Sequence, residues 1–124
     1  MSERTVGEAR FAPALQSGAV YQMKAEFFRI LGHPVRVRIL ELLKNGERTV
    51  GDLQSELQID SSGTSQHLGV LRKHGILLAR RSGTNVYYTV RDPRTFQLLE
   101  VARQILTSSL TDSQAVLDEL DRFG

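Results

Sequence analysis

Stop signals recur along this chain at intervals that leave room only for short elements. Gly32 is followed by His33-Pro34, Asn45 by Gly46, Ile59-Asp60-Ser61 parts two apolar-periodic runs, and Gly75 closes the second. The segments between them read as helices. Residues 19–31 place Val20, Met23, Phe27, Phe28, Ile30 and Leu31 in a broad apolar stripe. Pro34 suits the first position of a second helix, with His33 as its N-cap, and Lys44 suits the dipole at its end. Thr49 begins a short third helix to Leu57, with Asp52 at capping-box spacing. Ser61 is the expected N-cap of a fourth helix running to about His74.

After Gly75 the periodicity changes. Residues 76–81 and 85–91 are strand-like, joined by the turn chemistry of Ser82-Gly83-Thr84-Asn85. Val86, Tyr88 and Val90 alternate with Tyr87 and Thr89, so one face is expected to be buried. Asp92-Pro93 restarts a helix carrying Phe96, Leu99, Ala102 and Leu106, and Thr111 or Ser113 is expected to cap a separate last segment. Three units follow: a mobile arm over residues 1–18, with a short helix near 9–16, a domain over 19–110, and a helical extension over 111–124. The fold class is mainly α with a β-hairpin. A helix joined by a few residues to the next and followed at once by a hairpin is a winged helix-turn-helix layout.

Composition excludes several functions. The 124 residues contain no cysteine, which removes disulfides, thiolate metal sites, cysteine nucleophiles and thiol switches. No apolar run approaches the roughly 18 residues of a membrane span. The charged start lacks the apolar core of a signal peptide, so the cytoplasm is the expected compartment. Nucleophile-elbow, P-loop and dinucleotide motifs are absent. Ser65 and His67 lie two apart on a helix, which turns them away from each other. The chain is therefore read as a non-enzyme without a cofactor.

Charge is distributed unevenly. Residues 61–91 carry five basic side chains (Arg72, Lys73, Arg80, Arg81, Arg91) and no acid, whereas residues 92–124 carry three basic and six acidic ones. On the fourth helix, Ser61, Thr64, Leu68 and Leu71 form the inward stripe. Ser62, Ser65, Gln66, Gly69, Arg72 and Lys73 form an outward stripe of hydroxyls, an amide and cations. Gln pairs bidentately with adenine, Ser bonds base edges or phosphate, and Arg and Lys neutralise phosphates. An ordinary solvated face would be expected to carry Glu as well. His67 borders this stripe, and two readings stand open: a bond to DNA, or packing against the third helix. At the hairpin, Arg80, Arg81, Thr84 and Asn85 surround a tip that can reach the flanking minor groove or its phosphates. Edge strands also carry cations to discourage edge pairing, and alone the hairpin would not decide between these.

The motifs resemble one family. Leu31-Gly32-His33-Pro34-Val35-Arg36-Val37-Arg38-Ile39-Leu40, then Val50-Gly51-Asp52-Leu53, then Ser65-Gln66-His67-Leu68-Gly69-Val70-Leu71-Arg72, and Gly75-Ile76-Leu77 with Arg80, Arg81, Gly83 and Tyr87-Tyr88 are similar to the ArsR/SmtB transcriptional repressors over about residues 20–106. The resemblance implies a cytoplasmic, homodimeric winged helix-turn-helix repressor that binds double-stranded DNA at an imperfect palindrome and is released by a signal. It also implies a dimer interface built from the first and last helices. On these lie the apolar residues Val20, Met23 and Phe27, and Phe96, Leu99, Ala102 and Leu106.

The departures bear on that signal. Metal sensors of the family carry Cys-Val-Cys-Asp-Leu where this chain has Thr49-Val50-Gly51-Asp52-Leu53, and a second family site uses Asp and His on the last helix. No His follows His74. Neither metal site is expected, and the effector is unassigned. The alternative function is a winged-helix protein–protein module without DNA binding. It requires acids or apolar residues on the outward face of the fourth helix, and none are there.

Overall fold

The computed structural model describes residues 18–123. Its elements in chain order are α1 (Ala19–Leu31), α2 (Pro34–Leu42) with a 3-10 turn (Leu43–Asn45), β1 (Arg48–Thr49), α3 (Val50–Leu57), α4 (Ser61–Lys73), β2 (Leu77–Ser82), β3 (Asn85–Val90) and α5 (Arg94–Phe123). The short helix expected near residues 9–16 lies outside the described residues. Three strands form an antiparallel sheet in the order β1-β3-β2. The third strand was not expected. It pairs Arg48 with Tyr88 and Thr49 with Tyr87, across nearly forty positions of sequence. The hairpin register runs from Leu77 opposite Val90 to Ser82 opposite Asn85. That leaves Gly83-Thr84 as a two-residue loop, and Gly83 adopts the positive φ such a loop requires.

The caps explain where each helix starts and stops. The His33 ring accepts the Val35 N–H at 3.1 Å, with Pro34 at the first helical position. Thr49 and Asp52 form the capping box in both directions at 3.2 Å, so Thr49 is the N-cap and Val50 the first helical residue. The cap of α4 differs from the expectation. Asp60, not Ser61, accepts the Gly63 N–H at 3.0 Å, and the Thr64 hydroxyl donates to the Asp60 carbonyl at 2.9 Å. A side chain at Gly63 would meet the capping oxygen at 2.7 Å, so glycine is what lets this cap close. At the other end Gly75 N–H donates to Arg72 O and Ile76 N–H to Leu71 O. This is a Schellman closure with Gly75 at positive φ.

The core sits between α2, α3, α4 and the base of the hairpin. It comprises Ile30, Leu31, Ile39, Leu40, Leu43, Leu53, Leu68, Leu71, Ile76 and Leu77. On α4 the inward stripe is Thr64, Leu68 and Leu71, and Ser61 is exposed instead of inward. Of the α1 stripe only Ile30 and Leu31 enter the core. Met23, Phe27 and Phe28 are exposed and Val20 is half-buried. The expected break at Thr111 or Ser113 is absent, because α5 is one helix of 30 residues. The Thr111 hydroxyl donates back to Thr107 O at 2.9 Å instead of capping a new start. Leu98 and Leu99 pack on the core and Phe96 is half-buried, while every residue from Val101 to Arg122, including Ala102 and Leu106, is exposed. Leu99 thus also packs on its own domain's core and is only partly buried by it. Among the described residues no helix is long and apolar enough to cross a membrane.

Candidate nucleic-acid interface

The hydrophobic stripe of α4 fixes which face looks outward. With Leu68 and Leu71 fully buried, Ser62, Ser65, Gln66, Gly69, Arg72 and Lys73 all lie exposed. Among the described residues none of the side chains of Ser62, Ser65, Gln66, Arg72 and Lys73 makes a hydrogen bond or ion pair within the chain. Five polar side chains on one face therefore keep their full hydrogen-bonding capacity. At Gly69 the space that a side chain would occupy is open.

One acidic group stands at the edge of this face. The Asp60 carboxylate lies at the N-terminus of α4, where it satisfies the helix's own donors. The acid-free window begins immediately after it.

His67 packs against a different helix from the one expected. It is half-buried, its ring 4.3 Å from that of His33. Arg36 Nε donates to His67 Nδ1 at 3.2 Å, while Arg36 Nη1 donates to Ile30 O at 3.1 Å. The packing is against the start of α2, not against α3. Burial, with the neighbouring His33 and Arg36, lowers the His67 pKa and favours the neutral ring. This cluster ties α4 to the start of α2, with His67 itself on the shallow hollow that Gln66, Gly69 and Lys73 line. Arg36 also borders that hollow, which adds a cation beside the reading face. Sequence reading passed over Arg36 as a site residue, although it stands inside the quoted His33-Pro34-Val35-Arg36 motif.

The wing separates its two arginines. Arg80 Nε donates to Glu47 at 3.3 Å, and its guanidinium lies 4.8 Å above the Tyr87 ring. The bond to Glu47 raises the Arg80 pKa further. Arg80 thus braces the hairpin against the loop before β1 while its side chain stays exposed. Arg81, Thr84 and Asn85 are exposed at the tip, and Arg81 has no partner among the described residues. No three His, Asp or Glu side chains among the described residues come together as a metal site.

A helix-turn-helix domain family matches residues 31–80, the span from the end of α1 into β2. The uncharacterized HTH-type transcriptional regulator Rv0081 of Mycobacterium tuberculosis is 47% identical over 111 residues, covering 89% of this chain and 97% of that protein. A transcriptional repressor SmtB homolog of Synechocystis is 35% identical and covers 77% and 74%. The chain belongs to the ArsR/SmtB family of winged helix-turn-helix transcriptional regulators. The crystal structure of Rv0081 overlays with a TM-score of 0.71, covering 76% of this chain and 95% of that one. The transcriptional repressor BigR of Xylella fastidiosa, 31% identical, overlays at 0.64 over 76% and 94%. In this ArsR/SmtB member Thr49 and Gly51, at the positions of the family's metal-binding cysteines, are a helix cap and a bare backbone position.

Proposed function

We propose that this regulator is a homodimeric repressor that reads an imperfect palindrome with α4 and anchors itself through the wing. The observation that carries the reading is the exposed α4 face of five unpartnered polar side chains. Ser65 and Gln66 lie in the first half of the helix, where recognition-helix side chains meet base edges. Ser62 stands near its start. Arg72, Lys73 and Arg81 meet phosphates, and Thr84 and Asn85 bond the backbone or the minor-groove edge beside them. His67, tied to Arg36 at the border of this face, positions the helix.

Two-fold DNA requires two heads. The exposed Met23 and Phe27 of α1, and Ala102 and Leu106 of α5, supply apolar surface that a single chain leaves in water. Val20 and Phe96 border it. The relatives named as repressors give the sense of regulation. The protein works by binding alone, without catalysis or a resident cofactor, and its work on DNA belongs in the cytoplasm. Selection of bound duplexes from a random pool tests this. The expected winner has two half-sites related by a two-fold axis, about one helical turn apart. No enrichment over random duplex would refute the reading.

A further inference from the structure

A cavity of about 680 Å³ lies away from the α4 face, walled by Phe27 of α1, Ile76 after α4, Arg91 at the end of β3, and Thr95 and Leu98 of α5. A second, largely apolar hollow of about 540 Å³ continues from it along Met23 and Ile30, sharing Phe27 and Ile76. Volumes of this order suit small organic ligands. Two polar groups in the first cavity stand unanswered. Thr95 is only 8% exposed, yet its hydroxyl has no hydrogen-bond partner among the described residues. Buried hydroxyls are normally paired. The Arg91 guanidinium likewise has no partner among the described residues. The other charges nearby are already matched: Asp92 is held by Arg94 at 2.6 Å, and Glu26 by Arg29 at 2.6 Å with His74 beside it at 3.5 Å. The cavity therefore offers one free cation and one free hydroxyl at the mouth of an apolar channel.

We propose that this cavity is an effector site for a small amphipathic carboxylate, its head on Arg91 and Thr95 and its chain along Ile76 and Leu98. An arginine pairs a carboxylate bidentately, and the buried hydroxyl supplies a third bond. The site adjoins both working parts of the regulator. The Arg91 N–H donates to Ile76 O at 2.9 Å, and Ile76 closes the end of α4. Phe27 and Leu98 belong to the helices assigned to dimerisation. An occupant thus touches the end of the reading helix, the root of the wing and the dimer helices together. The regulatory consequence rests on the proposed repressor reading, whereas the binding does not.

The test is calorimetric titration of the full chain, without DNA, using octanoate, with octanamide and octylammonium as controls. Octanoate should bind once per chain, octanamide roughly tenfold more weakly, and octylammonium not at all. Arg91→Met and Thr95→Val should each weaken octanoate at least fivefold with the thermal midpoint retained, and Arg91→Met should affect octanamide far less than octanoate. In the second arm, octanoate should weaken binding to the selected operator severalfold in the parent and not in Arg91→Met. Equal binding of octanoate and octanamide, indifference to Arg91→Met, or no heat with octanoate up to about 10 mM would overturn the site. If no operator exists, the titration still reads the cavity, so failure of the repressor reading is told apart from failure of the site.

Discussion

Substituting Gly69 with alanine separates folding from DNA contact at one position. Gly69 lies inside α4 on its exposed face, and a Cβ there meets nothing within 4 Å. Folding alone should favour alanine, since glycine in a helix interior costs about 1 kcal/mol. For a domain of this size that gain raises the thermal midpoint by about 4 °C. The same methyl faces the DNA if α4 lies in the major groove with Gln66 and Lys73 on either side. Forcing a methyl into a close-packed contact costs about 1–3 kcal/mol, equivalent to roughly 5- to 150-fold in affinity. Gly69→Ala should therefore be more stable than the parent and bind the operator at least about fivefold more weakly. Thermal unfolding and a fluorescence anisotropy titration read the two effects on one preparation. A variant that is stabilised and binds DNA unchanged would show that this stretch of α4 does not lie against the duplex. A variant that is destabilised would show that the space around Gly69 is not open.

Four further outcomes follow from the same geometry. Sedimentation at micromolar concentration should show a dimer that Met23→Lys and Leu106→Lys each weaken, whereas a monomeric parent would contradict the use made of α1 and α5. Zinc titrated into the protein–operator complex should leave it intact, because Thr49 and Gly51 offer no thiolate and no imidazole follows His74; stoichiometric release at sub-micromolar zinc would reveal ligands not considered. The lowered His67 pKa means that the unfolded chain takes up this proton first, so stability should be level above the ordinary value of 6.5 and decline as pH falls below it. His67→Asn should flatten that decline, and an unchanged slope in denaturant midpoints between pH 5 and 8 would assign it elsewhere. Asp92, held down to about 2 by the Arg94 side chain and N–H, keeps its contribution above its ordinary 3.8 and loses it only as pH falls towards about 2.

Local chemistry was legible in the sequence, and contacts between distant segments were not. The Thr49–Asp52 box, the Pro34 start, the Gly75 stop and the Gly83 turn each depend on a few adjacent residues, and each forms. Asp60 and Ser61 are neighbouring cap-formers, and spacing alone did not rank them; the open side of Gly63 selects Asp60. Thr111 and Ser113 resembled a helix start because hydroxyls favour caps, but a threonine can also bond the carbonyl four residues back and stay within the helix. β1 has two residues, too few to show alternation, and finds its partner in Tyr87 and Tyr88. Within the site, the outward stripe of α4 followed from helical periodicity and stands fully exposed. The Arg80–Glu47 pair was not legible because Glu47 lies 33 positions away. The packing of His67 was not legible because Arg36 reaches it from another helix. The cavity beside Arg91 assembles from four separate segments and had no signature in the sequence.

The central claim is that the exposed face of α4 reads base edges. Affinity of the parent, Gln66→Ala and Arg72→Ala for the selected operator and for a scrambled duplex, each at several salt concentrations, tests it most directly. Loss of the Gln66 contact should cost about 1–3 kcal/mol on the operator and little on scrambled DNA, narrowing the gap between them. Loss of the Arg72 contact should weaken both duplexes alike and reduce the salt slope by about one unit. If Gln66→Ala leaves both affinities unchanged, the α4 face is not the reading surface and the account is wrong at its centre.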